Sequence, residues 1–189
     1  MSTAPAGTTN NTWNVDPVHS QAEFGVRHMM ISTVKGYFDV EGTIHLDEDD
    51  FSASSIELTM DAASINTRNE DRDAHLRSED FFDAESHPVL KFKGSPEGSK
   101  EDRFTVKGEL TIRDVTRPVT LEAEELGRGT DPWGNPRVGF RGETRISRKE
   151  FGLTWNQALE TGGVLVGDEV RIQVEVQAIP ADAAEGEEG

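Results

Sequence analysis

The chain has 189 residues, enough for one domain with its own hydrophobic core. Thirty-six acidic residues face 19 basic ones, for a formal charge of −17, which argues against nucleic acid and anionic membrane surfaces as partners. There is no cysteine and no apolar run approaching the ~18 residues of a spanning helix, so disulfides, thiol chemistry and a transmembrane segment are not expected.

The chain opens with "MSTAPAGTTNNT", small and polar, without a basic or an apolar signal region. Residues 1–12 are expected to be disordered and the protein to be cytoplasmic. The last ten residues, "PADAAEGEEG", are acidic with nothing to bury, and 180–189 are expected to be a second disordered tail. One domain, 13–179, lies between them, with no repeat or linker inside it.

The body of the chain alternates with period two, the mark of strands with one apolar face. The inward set begins with Ala22, Phe24, Val26 and His28, and continues with Val34, Phe38, Val40, Ile44 and Leu46. Ile56, Leu58 and Met60 follow, then Leu90 and Phe92, then Phe104, Val106, Leu110 and Ile112. Val119, Leu121 and Ala123 precede Val138, Phe140, Thr144 and Ile146; Asp168, Val170, Ile172, Val174 and Val176 complete the set. Eight strands result, near 20–28, 34–47, 55–63, 88–94, 103–112, 118–126, 137–147 and 166–178. Short connections such as "RDVTRP" imply antiparallel hairpins. A sheet with one apolar face is best served by closing into a barrel, which removes its edges. The fold class is therefore all-β. Gly36, Gly42, Gly94, Gly108 and Gly142 share the inward parity, and are expected either to bend strands or to leave room for a cavity.

One segment breaks the alternation. "NEDRDAHLRSEDFF" reads as a short helix, with Asn69 as N-cap, Glu70, Asp71 and Asp73 at its positive end and Arg77 at its negative end. Pro88 returns the chain to extended form. Leu76, Phe81 and Phe82 are expected to pack this crossover on the barrel.

The stretches "WNVDPVHSQAEFGVRH", "VKGYFDVEGTI", "RDAHLRSEDFFDAESHPVLKF", "VKGELTIRDVTRPVTL" and "SRKEFGL" with "GVLVGDEV" occur in this order over roughly 13–178. Together they resemble the YceI family, whose members are lipocalin-like and bind polyisoprenoids and related lipids. The resemblance implies an extended eight-stranded antiparallel lipocalin-like barrel around a long apolar pore. Many members of that family are exported, a feature for which this N-terminus shows no signal pattern.

The expected function is binding of a polyisoprenoid, an isoprenoid quinone or a similar long-chain lipid, for carriage, storage or sequestration. Each buried CH₂ is worth ~0.8 kcal/mol before ordering costs, so an apolar tube binds a long chain without special polar contacts. The expected ligand contacts are Phe24, Val26, His28, Phe38, Val40, Leu58, Met60, Phe82, Phe92, Val106, Leu110, Leu121, Phe140, Trp155, Val170 and Ile172. The alternative is an isomerase or cyclase using His28 or Asp168 inside the pore. It lacks a partner nucleophile or oxyanion site in the sequence, so no catalytic residue is assigned.

Arg72 and His75, in the "RDAHLRS" motif, are expected to dock the helix by hydrogen bonds to strand ends, with gating of the pore as the alternative. Arg68, Arg72, Arg77, Arg148 and Lys149 are candidates for a diphosphate, against the simpler reading of ion pairs with surrounding acid. His19, His28, His45, His75 and His87 show no metal-ligand spacing, and neither a metal nor a cofactor is expected. Trp133 is expected to pack on the barrel rim, and Trp155 to pack there or meet a ligand. A homodimer is compatible with the sequence.

Overall fold

The structure is a computed structural model that describes residues 11–98, 100–160 and 162–184. Its strands are β1 (Thr12–Val15), β2 (Gln21–His28), β3 (Ser32–Phe38), β4 (Val40–His45), β5 (Ser55–Asp61), β6 (Val89–Pro96), β7 (Arg103–Ile112), β8 (Val115–Thr130), β9 (Pro136–Ser147) and β10 (Val166–Pro180). They form one sheet in the order β1-β4-β5-β6-β7-β8-β9-β10-β2-β3, every pairing antiparallel, closed by β1 against β10.

Ten strands make eight paths around the barrel because two paths are interrupted side by side. β1 and β2 run in turn along β10, Val15 opposite Ala178 and Gln21 opposite Glu175. A 3-10 turn at Pro17–His19 separates them, capped by the Asp16 side chain. β3 and β4 form the neighbouring path, β3 along β2 and β4 between β1 and β5. The expected strand 34–47 thus breaks at Asp39, whose N–H donates to Ser64 Oγ (2.8 Å) instead of to a strand. Parity survives the break, since Phe38 and Val40 are both buried.

Two hairpins turn on a pair of residues at positive φ, Met29–Met30 within the three-residue β2–β3 connection and Arg113–Asp114 as the whole two-residue β7–β8 connection. The latter has the backbone that a two-residue hairpin matching the strand twist requires. The strand expected at 118–126 consequently starts at Val115 and ends at Thr130, with a bulge between Glu125 and Gly127.

Between β5 and β6 runs α1 (Glu70–Arg77). Asn69 caps it, its side chain accepting from the Arg72 N–H at 2.9 Å. A final helical turn, α2 (Ala181–Ala184), follows β10. Thr12 and Pro180 lie in strands rather than tails; residues 1–10 and 185–189 of the expected tails fall outside the described residues.

The core follows the inward set. Phe151, Val40 and Val138 are the largest side chains buried almost completely. The inward glycines serve packing rather than a void. A Cβ on Gly36 would lie 2.4 Å from the Phe24 ring; on Gly94 and Gly108 it would lie 2.8 and 2.7 Å from the tip of Phe92. Each ring lies over a missing side chain, so the reading of these glycines as cavity space is overturned there. Gly42 is closed by backbone, with the Glu57 carbonyl 2.0 Å from its would-be Cβ.

Candidate functional site

One end of the barrel holds a cavity of about 410 Å³, within the range of small-ligand pockets. Its wall is the inward face of all eight strand paths, β9 contributing Thr144 and Ile146. Phe24, Val26 and His28 come from β2, Phe38 from β3, Leu58 and Met60 from β5, and Phe92 from β6. Leu110 comes from β7, Leu121 from β8, and Val170 and Ile172 from β10; Phe82 and Trp155 close the end. Thirteen of the sixteen expected contacts are thereby brought to one surface.

Val40, Val106 and Phe140 are not. Val40 is 1% exposed and packed in the core. Val106 and Phe140 line a second, smaller cavity of about 70 Å³ at the other end, beside Phe51 and Phe104. All three point inward as parity predicts, but parity fixes the face and not the depth along the barrel.

The rim is built by α1 with the segment after it, and by the β9–β10 connection. His75 Nε2 lies 2.9 Å from Asp80 Oδ2, and the ring stands edge-on to Trp155 at 4.7 Å and to Phe81 at 5.1 Å. The helix is docked through Thr67. Arg72 Nε donates to Thr67 Oγ1 (2.8 Å) and Nη2 to the Thr67 carbonyl (2.7 Å), while Asp73 accepts the Thr67 N–H (2.8 Å). The helix motif therefore holds a loop residue rather than strand ends, and His75 pairs with a carboxylate.

Arg148 is 3% exposed. It donates to four carbonyls: Gly167 (2.8 Å), Leu153 (2.6 Å), Trp155 (2.9 Å) and Val166 (3.2 Å). Burial pulls its pKa below the ordinary guanidinium value, and the Asp168 charge pulls the other way; the group stays a cation. It is neither an ion-paired surface arginine nor free for a diphosphate: it fastens the Trp155 loop to the start of β10. Asp168 does not enter the cavity. It accepts from Ser147 Oγ (2.6 Å) and the Lys149 N–H (3.2 Å).

His28 and Thr144 face the cavity, and no side-chain hydrogen bond or ion pair engages either among the described residues. Around the rim Met29, Met30, Ile31 and Val164 are exposed apolar side chains. Trp133 is 76% exposed and packs on no rim. His45 points outward, as parity requires. Among the described residues no three of His, Asp and Glu are grouped as metal ligands.

Several lining residues lie beyond the expected sixteen. Val34, Leu90, Ile112, Val119, Ile146 and Val174 carry the same inward parity and were findable by it. Leu153 and Leu165 come from the β9–β10 connection, where no periodicity exists to mark them. No helix among the described residues is long and apolar enough to cross a membrane.

A closed antiparallel barrel with one helix and an apolar chamber under it defines the class: a lipocalin-like barrel. The YceI-like domain matches residues 13–178, and the chain belongs to the YceI family. Protein YceI of Escherichia coli O157:H7 is 37% identical over 136 residues, 71% of each chain. Burkholderia cenocepacia BcnA superposes with a TM-score of 0.74 over 86% of this chain and 98% of its own, at 22% identity. A polyisoprenoid binding domain from Saccharophagus degradans, implicated in plant cell wall breakdown, superposes at 0.63 over 89% and 98%, at 14% identity. At these identities both structural likenesses concern the fold.

Proposed function

We propose that the protein binds a long apolar chain, a polyisoprenoid, an isoprenoid quinone or a similar lipid, in the barrel cavity, for carriage, storage or sequestration. The carrying observation is the chamber of about 410 Å³ walled mostly by Phe, Leu, Ile, Val and Met side chains, with charged neighbours Asp71 and Arg72 of α1, Arg148 of the β9–β10 connection, and Glu23 and Arg27 of β2. Such a surface recognises length and width. Family membership supports the reading, as does the binding named for the Saccharophagus domain on the same fold.

Native mass spectrometry of the purified protein, followed by organic extraction, tests the proposal. A co-purifying long-chain apolar molecule, lost on extraction, is the expected result. Protein that emerges empty and takes up no prenol or long-chain alkanol would overturn it.

The imidazole of His28, which faces the cavity and which no side-chain hydrogen bond or ion pair engages among the described residues, favours an enzyme. The two readings separate on His28→Ala. Carriage predicts retained binding and no turnover in either protein. An enzyme predicts turnover of the bound molecule that disappears in the variant.

A further inference from the structure

The main cavity and the small one at the far end of the barrel are separate, yet they share three lining residues: Leu58 of β5, Leu121 of β8 and Val174 of β10. These strands are spread around the barrel, so the three side chains meet across its interior from different sides. Leu58 is 3% and Leu121 9% exposed. Gly142 stands beside them; a Cβ there would lie 3.3 Å from Leu121 Cδ1 and 3.8 Å from Val174 Cγ1. Beyond this neck, the far cavity has an apolar lining that includes Phe51, Phe104, Phe140, Val106 and Ala123.

Resting on the function proposed above, we infer that Leu58, Leu121 and Val174 form a chain-length stop: the interior is one apolar channel cut in two by these side chains, and they set the longest chain the protein accommodates. A chain entering from the α1 end packs along Phe24, Met60, Phe92 and Leu110 until it meets the neck. Each methylene that still fits adds about 0.8 kcal/mol, close to a fourfold gain in affinity. The first methylene that does not fit must stay at the mouth or displace a packed leucine. The affinity series therefore breaks at a fixed length. Shortening a neck residue joins the chambers. The far cavity of about 70 Å³ holds roughly two groups of ≈30 Å³ each, and the atoms removed from Leu121 add to that. The break is expected to move by roughly two to four carbons.

The probe is a series of straight-chain 1-alkanols, lengthened one carbon at a time, titrated into the full chain. Folding is monitored by thermal melting of the same samples. Wild type is expected to tighten about fourfold per carbon and then stop. Leu121→Ala should keep the slope and move the stop to longer chains; Val174→Ala, a smaller deletion, should move it less. Adding Ala123→Leu to Leu121→Ala refills the far chamber and should return the stop toward wild type. Ala123→Leu alone should leave the wild-type stop in place, because the chain does not reach that far. The inference is overturned if the series has no stop, if the stop stays put in the folded alanine variants, or if Ala123→Leu alone shortens it. If wild type takes up a prenol but no alkanol of any length, the stop is overturned while the proposed function stands; if it takes up neither, the function fails and the stop falls with it.

Discussion

Arg148 shows what a buried cation can do without a carboxylate beside it. Its four carbonyl partners come from two stretches of chain, 153–155 and 166–167. Truncating it takes a donor from each of them, although the Val166 carbonyl keeps the Asn156 side-chain amide (2.7 Å); an unsatisfied buried polar group costs about 1–3 kcal/mol. Arg148→Ala is expected to lower stability by about 3–5 kcal/mol in chemical denaturation, and to weaken ligand binding further by freeing the Trp155 loop. Arg148→Lys, with three donors and no planar fork, should recover part of the stability. A variant as stable as wild type would remove the clamp from the account. Asp16 gives the second case. Burial pushes its carboxyl up, but hydrogen bonds from His19 and Arg137 outweigh this and hold it below its ordinary value. A carboxyl depressed in the folded state stabilises at neutral pH, and that contribution is lost as pH falls through the folded value. Asp16→Asn is expected to melt below wild type at pH 7, by about 1–2 kcal/mol. The two melting curves should converge as the pH drops below about 4.

Among the strands, the glycine–phenylalanine pairs are the most sharply testable arrangement. At Gly36 the obstacles to a side chain are the Phe24 ring at 2.4 Å, which can move, and the Thr67 methyl at 2.8 Å, held by the hydrogen bonds that dock α1. At Gly108 the nearest atom is the Lys93 carbonyl oxygen at 2.3 Å, fixed in the β6–β7 ladder. Gly36→Ala and Gly108→Ala should each destabilise by about 1–3 kcal/mol. Phe24→Leu should rescue much of the first in a double-mutant cycle, whereas Phe92→Leu should leave most of the second cost in place. Equal rescue at both sites would show that the rings alone determine the cost. The same residues mark how far the sequence can be read. Alternation identifies which strand residues face inward, and hence eleven of the thirteen expected residues that line the cavity; Phe82 and Trp155 lie outside the strands. It does not report depth, so Val106 and Phe140, which look the same as Leu110 in sequence, belong to the other chamber. An inward glycine reads as empty space until the ring over it is known. The break at Asp39 leaves no trace, because Phe38 and Val40 keep one parity across it. Arg148 resembles a surface arginine because it lies in a connection with no period to show that it is buried.

At the scale of the molecule, charge and cavity divide the work between outside and inside. The chain's formal charge is −17, and among the charged side chains of the described residues only Asp73 and Arg148 are buried. The charge is relieved locally by cross-strand pairs such as Lys93–Glu57 (3.2 Å) and Arg141–Glu175 (2.7 Å). Exposed pairs of this kind contribute little to stability, commonly ~0–1 kcal/mol each; their effect is to keep like charges apart on adjacent strands. The interior is left free of such demands, which is why the wall can be almost wholly apolar. Closure follows from the alternation, since one apolar face and many short hairpins leave a barrel as the simplest way to bury it.

The interrupted path formed by β3 and β4 bears on how one molecule meets another. β3 is laddered to β2 on one side; on the other, beyond the Tyr37–Asn66 bridge, it is paired with no strand among the described residues. In the language of association, that is a short row of amides and carbonyls able to template a foreign strand. Lys35 stands on it, exposed and 3.7 Å from Glu23, and a charge on an edge must lose water before a neighbour can add there. The tight turn through Met29 and Met30 ends the row, which is seven residues long. Two copies approaching by this edge would each bring a formal charge of −17. One lysine, a short strand and mutual repulsion thus guard the place where the barrel is least closed.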